Sequence, residues 1–273
     1  MALSPWACAH CGFWQRHFAP PDCPVCTDVR NDLPEDGWSF LDAAQVAARV
    51  TGRWRRLAGD LHAFSTAPRF GLDGSGWLIV RPEGNVAFEA AGFYTPAMLA
   101  EIARLGGIAA LAASHPHGYG ALWQLQDAFE PAVVAIHRAD LNLTKAFRVS
   151  APFEEALDLG GGLVLHHVGG HYDGQAALHD AARGLFFSGD MFKVEQDAGG
   201  RARALSMHKA FHKRIPLTHR EIARYREVVA ACPFDALLTP FEYAPDVDSR
   251  RALAVLDAAL AGPLSVEPHP LPD

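Results

Sequence analysis

Short apolar runs, cut by glycine-rich and polar breaks, dominate the chain. Ile108-Ala-Ala-Leu-Ala-Ala113 reads as a buried strand that stops at Ser114. Asp60 to Ser65, Ala132 to Ile136, Leu163 to Val168, Gln175 to Leu178, Gly184 to Phe187 and Ala236 to Leu238 read as further strands, and Gly76 to Phe88 as a hairpin around Pro82-Glu-Gly-Asn85. Helical signals alternate with them. Ser39 is placed to cap a helix through Leu41 to Val50. Thr95-Pro96 opens a helix with Met98, Leu99, Ile102 and Leu105 on one face and Gly106 as its stop. Ala121 to Phe129 is a third. Thr218-His-Arg-Glu221 is a capping box for the helix Ile222 to Ala231, and Asp248 to Leu260 closes the series. The tail, Pro263 to Asp273, is expected to be extended. Strands in groups with intervening helices predict a layered α/β or α+β domain.

Composition narrows the class. The 273 residues are 49% hydrophobic, enough for one large core or a domain with a small appendage. A net charge of −7 excludes the basic footprint of a nucleic-acid binder. No apolar run approaches the ~18 residues of a membrane helix. Met1 to Trp6 has no charged and then apolar leader pattern, so the expected compartment is the cytoplasm. Oligomeric state leaves no mark in the sequence.

Four of the five cysteines lie at the start, as Cys8-Ala-His-Cys11-Gly12 and Cys23-Pro-Val-Cys26. Two Cys-x-x-Cys turns can place four thiolates on one tetrahedral ion, zinc or iron. The competing arrangement, two disulfides, requires an oxidising compartment. The pattern resembles a zinc ribbon or a rubredoxin-like module and sets residues 1–33 apart from 34–273. A closed four-sulfur site has a structural or electron-transferring role. Cys232, on an apolar helix face, is expected in the core.

After the strand at 108–113 comes Ser114-His115-Pro116-His117-Gly118-Tyr119-Gly120. In extended chain, His115 and His117 point to one side and can reach one ion. Gly169-Gly170-His171 and Ser188-Gly189-Asp190 each follow another apolar strand. Three imidazoles and one carboxylate suit zinc, iron or manganese. His137 and His166 read as ordinary loop and strand residues. The basic segment His208 to Leu217 reads as a solvated loop, with contact to an anion as the functional alternative.

Ser-His-Pro-His, Gly-Gly-His-Tyr-Asp-Gly and Phe-Ser-Gly-Asp, in this order, resemble the metallo-β-lactamase superfamily over roughly residues 55–260. The resemblance implies a four-layer αββα sandwich preceded by the four-cysteine ribbon. It also implies a metal site at His115, His117 and His171 with Asp190 in the bridging position. Against the superfamily motif His-x-His-x-Asp-His, Tyr119 replaces the aspartate and Gly120 the third histidine. The final histidine is missing near Thr239 to Glu242. One ion is therefore expected, with Tyr119 bordering the lost second position. An unperturbed phenol, with a pKa of about 10, is no base at neutral pH but donates a hydrogen bond. The resemblance implies a mononuclear metal-dependent hydrolase acting on a small molecule, with Asp190 and Tyr119 as its catalytic residues. A mononuclear iron oxygenase or redox enzyme and a non-catalytic binding protein are the alternatives.

Overall fold

Leu78, Ala87, Leu111 and Val134 lie side by side across four neighbouring strands and form the apolar floor on which the first set of helices packs. The computed structural model describes residues 3–72 and 74–272. It divides into two compact units, 1–152 and 153–273.

In the first unit, β1 (Ser4–Cys8), β2 (Trp14–His17) and β3 (Phe40–Asp42) form a small antiparallel sheet in the order β2-β1-β3. A second sheet has six strands in sequence order: β4 (Thr51–Arg56), β5 (Leu61–Ala67), β6 (Gly76–Ile79), β7 (Val86–Phe88), β8 (Ala110–Ala112) and β9 (Val133–Ala135). Strands β4 to β7 are antiparallel. The pairs β7–β8 and β8–β9 are parallel, crossing over through α2 (Pro96–Arg104) and α3 (Leu122–Phe129). Helix α1 (Ala43–Ala47) is shorter than its apolar spacing predicts. Asp42 caps it in a box with Gln45, so Phe40 and Leu41 are free to join β3. The predicted cap on Thr95 and the Pro96 start of α2 hold, and Gly106 ends that helix at φ 106°.

The ribbon shares its core with the larger sheet. Trp14 packs on Phe70, Phe93 and Trp123, and its indole N–H donates to the Gly92 carbonyl at 2.9 Å. Cys8, Cys11, Cys23 and Cys26 are buried in the same cluster as Phe64, Ile102 and Leu111.

The second unit holds β10 (Ala156–Asp158), β11 (Leu163–His167), β12 (Ala176–Asp180) and β13 (Leu185–Phe187). Then come β14 (Lys193–Gln196), β15 (Ala202–Ser206), β16 (His208–Ala210) and β17 (Ile215–Pro216). Helix α4 (His219–Ala231), β18 (Ala236–Leu238), β19 (Tyr243–Ala244), α5 (Ser249–Ala261) and β20 (His269–Pro270) complete it. The main sheet runs β10-β11-β12-β13-β18-β19, with β13 and β18 parallel across the α4 crossover. In the tail, residues 269–270 are extended and pair with β15, and Asp273 lies outside the described residues. The basic segment is the β16–β17 hairpin. Helices α4 and α5 cover Phe186, Leu237 and Ala244. No helix among the described residues is long and apolar enough to cross a membrane.

The capping box at Thr218 and Glu221 is present with both reciprocal bonds. Thr218→Ala is expected to destabilise the protein by about 1 kcal/mol. Thermal denaturation would show this as a fall of roughly 2–4 °C in Tm.

Candidate metal centre

The first-unit residues of the site stand just beyond the C-terminal end of β8, where open α/β sheets place their ligands. The chain enters a single 3-10 turn, Pro116–Tyr119, with His115 extended before it. The expected extended spacing of His115 and His117 is thus replaced by a turn, because Pro116 presets φ at the first helical position. The two imidazoles still neighbour each other, with ring centroids 5.2 Å apart at 76°. The loop is fixed to the segment after β7: Ala90 N–H donates to the Gly118 carbonyl at 3.0 Å, and Ala121 N–H to Ala91 at 2.8 Å.

Beneath this loop lies Glu89, buried and in the left-handed region at φ 61°. The Ser114 hydroxyl donates a short hydrogen bond to the Glu89 carboxylate, and Ser114 Oγ is 2.7 Å from His115 Nδ1. With the serine proton on the carboxylate, Nδ1 must be the donor to Oγ. The Nε2 lone pair of His115 is then left for a ligand. Gly118 makes room for this chain: a Cβ there would stand 1.6 Å from Glu89 Oε2. His115 is fully buried, and burial, with Arg30 adding, holds its imidazole down near pKa 3.

Position 120 explains the missing third histidine. Gly120 has φ 38°, and a Cβ would meet the Ala90 carbonyl oxygen at 2.4 Å. No side chain fits this backbone. Tyr119 is buried, with its ring edge-on to Phe147 at 5.4 Å.

In the second unit, Gly169 and Gly170 turn the chain after β11 at φ 66° and 82°. A Cβ on Gly170 would clash with Tyr225 Oη at 2.5 Å, and the same hydroxyl accepts from the His171 N–H at 3.2 Å. His171 Nδ1 is 3.1 Å from the His208 carbonyl, which can only accept, so Nε2 again carries the lone pair. Phe211 of the same hairpin packs on the His171 ring at 5.5 Å. The hairpin that the sequence suggested as a solvated loop thus orients the His171 ring.

Asp190 lies on the 3-10 turn Gly189–Met191 after β13. Ser188 anchors that turn through Leu238, and buried Gln175 donates to the Ser188 carbonyl at 3.1 Å. Asp190 Oδ2 is 3.5 Å from His171 Nε2. Two ligands of one tetrahedral ion stand roughly 3.3 Å apart, so this spacing suits a shared ion. Glu242 is half-buried and bonded to Thr239. Burial pushes its carboxyl up, and the Asp190 charge adds to that.

The four cysteines converge as expected. All are free and buried, with Sγ–Sγ separations of 3.8 Å for Cys8–Cys26 and 3.6 Å for Cys11–Cys23. Disulfide sulfurs would be about 2.05 Å apart. A tetrahedral zinc with 2.3 Å bonds puts its sulfurs about 3.8 Å apart. Hydrogen bonds from Cys11 first, then Cys23 and Cys26, hold the Cys8 thiol far below its ordinary range. Cys11 and Gly12 line one cavity with Pro116, His117 and Gly120, so the ribbon forms a wall beside the histidine loop.

Glu89, Ser114 and the His208 carbonyl are the supporting groups that the sequence did not reveal. Only the Ser114–His115 adjacency was visible there.

No family model matches the chain. An uncharacterized protein of Bacillus subtilis (strain 168), YmaE, is 26% identical over 246 residues, 86% of this chain and 88% of that protein. The crystal structure of DIM-1 metallo-beta-lactamase superposes with a TM-score of 0.55 at 10% identity, covering 77% of this chain and 99% of that one. Rubredoxin oxygen:oxidoreductase from Desulfovibrio gigas gives a TM-score of 0.54 at 13% identity, covering 77% of this chain and 61% of that one.

Proposed function

We propose that this chain, which carries the metallo-β-lactamase fold, is a metal-dependent hydrolase of a small molecule, with one divalent ion held jointly by His115, His117, His171 and Asp190. The supporting observation is that two separate loops solve one problem alike. His115 and His171 each commit Nδ1–H to an internal acceptor and present Nε2, the arrangement usual for metal-bound histidine. Asp190 adds a charged oxygen beside His171. When bound, the ion supplies Lewis acidity to a carbonyl and to water. The chain's own groups position everything else. Glu89 and Ser114 hold the His115 ring, the β16 backbone holds His171, and Gly189 lets Asp190 turn inward. In this reading Tyr119 borders the place of a second ion and donates a hydrogen bond to the substrate oxygen. Gly120 leaves that place without a protein ligand.

Elemental analysis of the purified chain, with ester, thioester and lactam hydrolysis measured before and after chelation, tests the proposal. Hydrolysis that survives complete removal of metal would refute it. Ser114→Ala and Glu89→Gln are expected to weaken metal affinity at the histidine site about 10–100-fold, measured by competition with a chelating dye. Unchanged affinity in both would remove the supporting observation.

A second reading, an iron-dependent redox enzyme, is favoured by one feature: the ribbon and the His117 loop line the same cavity. The likeness to rubredoxin oxygen:oxidoreductase points the same way. Iron at both centres would select it, whereas zinc at both would leave hydrolysis. A chain that takes up no ion at the histidines would be a binding protein.

A further inference from the structure

Apart from these two centres, the second unit gathers two histidines and a cysteine on the helix-covered face of its sheet. Strand register puts His179 opposite Val164 and His166 opposite Ala177, so both imidazoles project on the same side as diagonal neighbours. Their ring centroids are 6.4 Å apart. Ala177, the small residue between them, leaves the space open. Cys232, the residue that ends α4, meets them from the helix side. One ligand atom from each of His166, His179 and Cys232 lies within 4.8 Å of the others.

We propose that His166, His179 and Cys232 form a third metal site, of the His2Cys type, for a borderline-soft ion such as zinc. The donor set is the first reason. Two imidazoles and a thiolate suit zinc, which fills its fourth position with water. Half-exposed His166 gives access from solvent, while His179 and Cys232 are buried. The second reason is the support of the ligands. His179 Nε2 is 2.8 Å from the Pro233 carbonyl, so that nitrogen carries the proton and Nδ1 the lone pair. A backbone carbonyl on the second ring nitrogen is the usual support of a metal-bound histidine. Pro233 also follows Cys232 in the chain, so one segment supplies a ligand and orients another. Phe186 and Phe234, stacked at 4.9 Å, close the apolar side.

A cysteine ligates as the thiolate and a histidine as the neutral imidazole. Binding then replaces S–H by S–Zn and releases one proton to solvent. The nearby Arg224 cation is engaged by Glu155 at 2.9 Å. Ligand atoms of one tetrahedral zinc stand roughly 3.3–3.6 Å apart, so a small inward movement of the three side chains completes the site. Its effect would be to pin the end of α4 to β11 and β12.

The test uses the full chain, equilibrated with zinc, gel-filtered and assayed for zinc per chain. His166→Gln and Cys232→Ser are each expected to hold one zinc fewer than the unaltered chain. His219→Gln, an exposed histidine at the opposite end of α4, is expected to lose none. Because a difference is measured, the outcome is independent of how fully the other two centres load. Equal zinc content in His166→Gln and the unaltered chain overturns the site, whatever Cys232→Ser does.

Discussion

Cys11→Ser is expected to cost the protein its first unit as a folded body, not the ribbon alone. The ribbon has no core of its own. Its Trp14 fills the space between Phe70, Phe93 and Trp123, and β1 pairs with β3. Arg16 donates from its backbone to Lys145 at 3.0 Å and forms an ion pair with Asp127 at 2.6 Å. Gly12 lies so close to Gly71 that a Cβ on Gly71 would stand 2.4 Å from the Gly12 Cα. Structural zinc contributes about 10–16 kcal/mol in small four-ligand modules, comparable to the ~5–15 kcal/mol that holds a whole domain folded. Losing one thiolate therefore removes a large part of the stability. Calorimetry should show the transition lowered by roughly 10 °C or more, and the tryptophan emission should shift to the red as Trp14 and its buried neighbours are exposed. An ion-free variant that melts where the parent does would mean that the ribbon is a separable appendage.

The second large effect is expected at Asp190. It is the only carboxylate of the proposed ligand set, so Asp190→Asn removes the negative charge that balances the ion while keeping the shape that fits the Gly189 turn. Hydrolytic kcat/KM should fall more than the ~10–100-fold expected for a group that merely supports a ligand, and metal content should fall with it. Circular dichroism and Tm should stay near those of the parent. The graded order, Asp190→Asn above Glu89→Gln, is itself the check. Equal losses in both would place Glu89 among the ligands or Asp190 outside them, and full activity in Asp190→Asn would end the hydrolase reading.

Much of the scaffold could be read from the sequence because its strands are short, apolar and bounded by glycine. The two helices between the last strands of the first sheet, the caps at Thr95 and Thr218, the closing helix, and the hairpin of β6 and β7 follow from local signals. Strand β4 did not show itself. Thr51-Gly-Arg-Trp-Arg-Arg lies on the sheet edge with most of its side chains exposed, so no apolar alternation marks it. The start of α1 was misplaced because Ser39 offers the same capping chemistry as Asp42 three residues later. The candidate ligands were legible as residue types after strand ends. Their supports were not: Glu89 is 25 residues from Ser114. A backbone carbonyl, like that of His208, has no side-chain signature at all. Cys232 is in the core and His166 on a strand, as the sequence suggested, and only the fold brings the two together.

Glu89 has a consequence for the chain's evolvability. A glutamate in the left-handed region costs on the order of 1 kcal/mol that glycine or asparagine would not. Either replacement would relieve that backbone strain, and either would give up the buried Ser114 bond to residue 89 and with it the link through Ser114 to His115. Backbone ease and the order of the candidate metal site are thus in opposition at this one position. A screen that scores backbone geometry alone would change residue 89, and the candidate site would bear the loss.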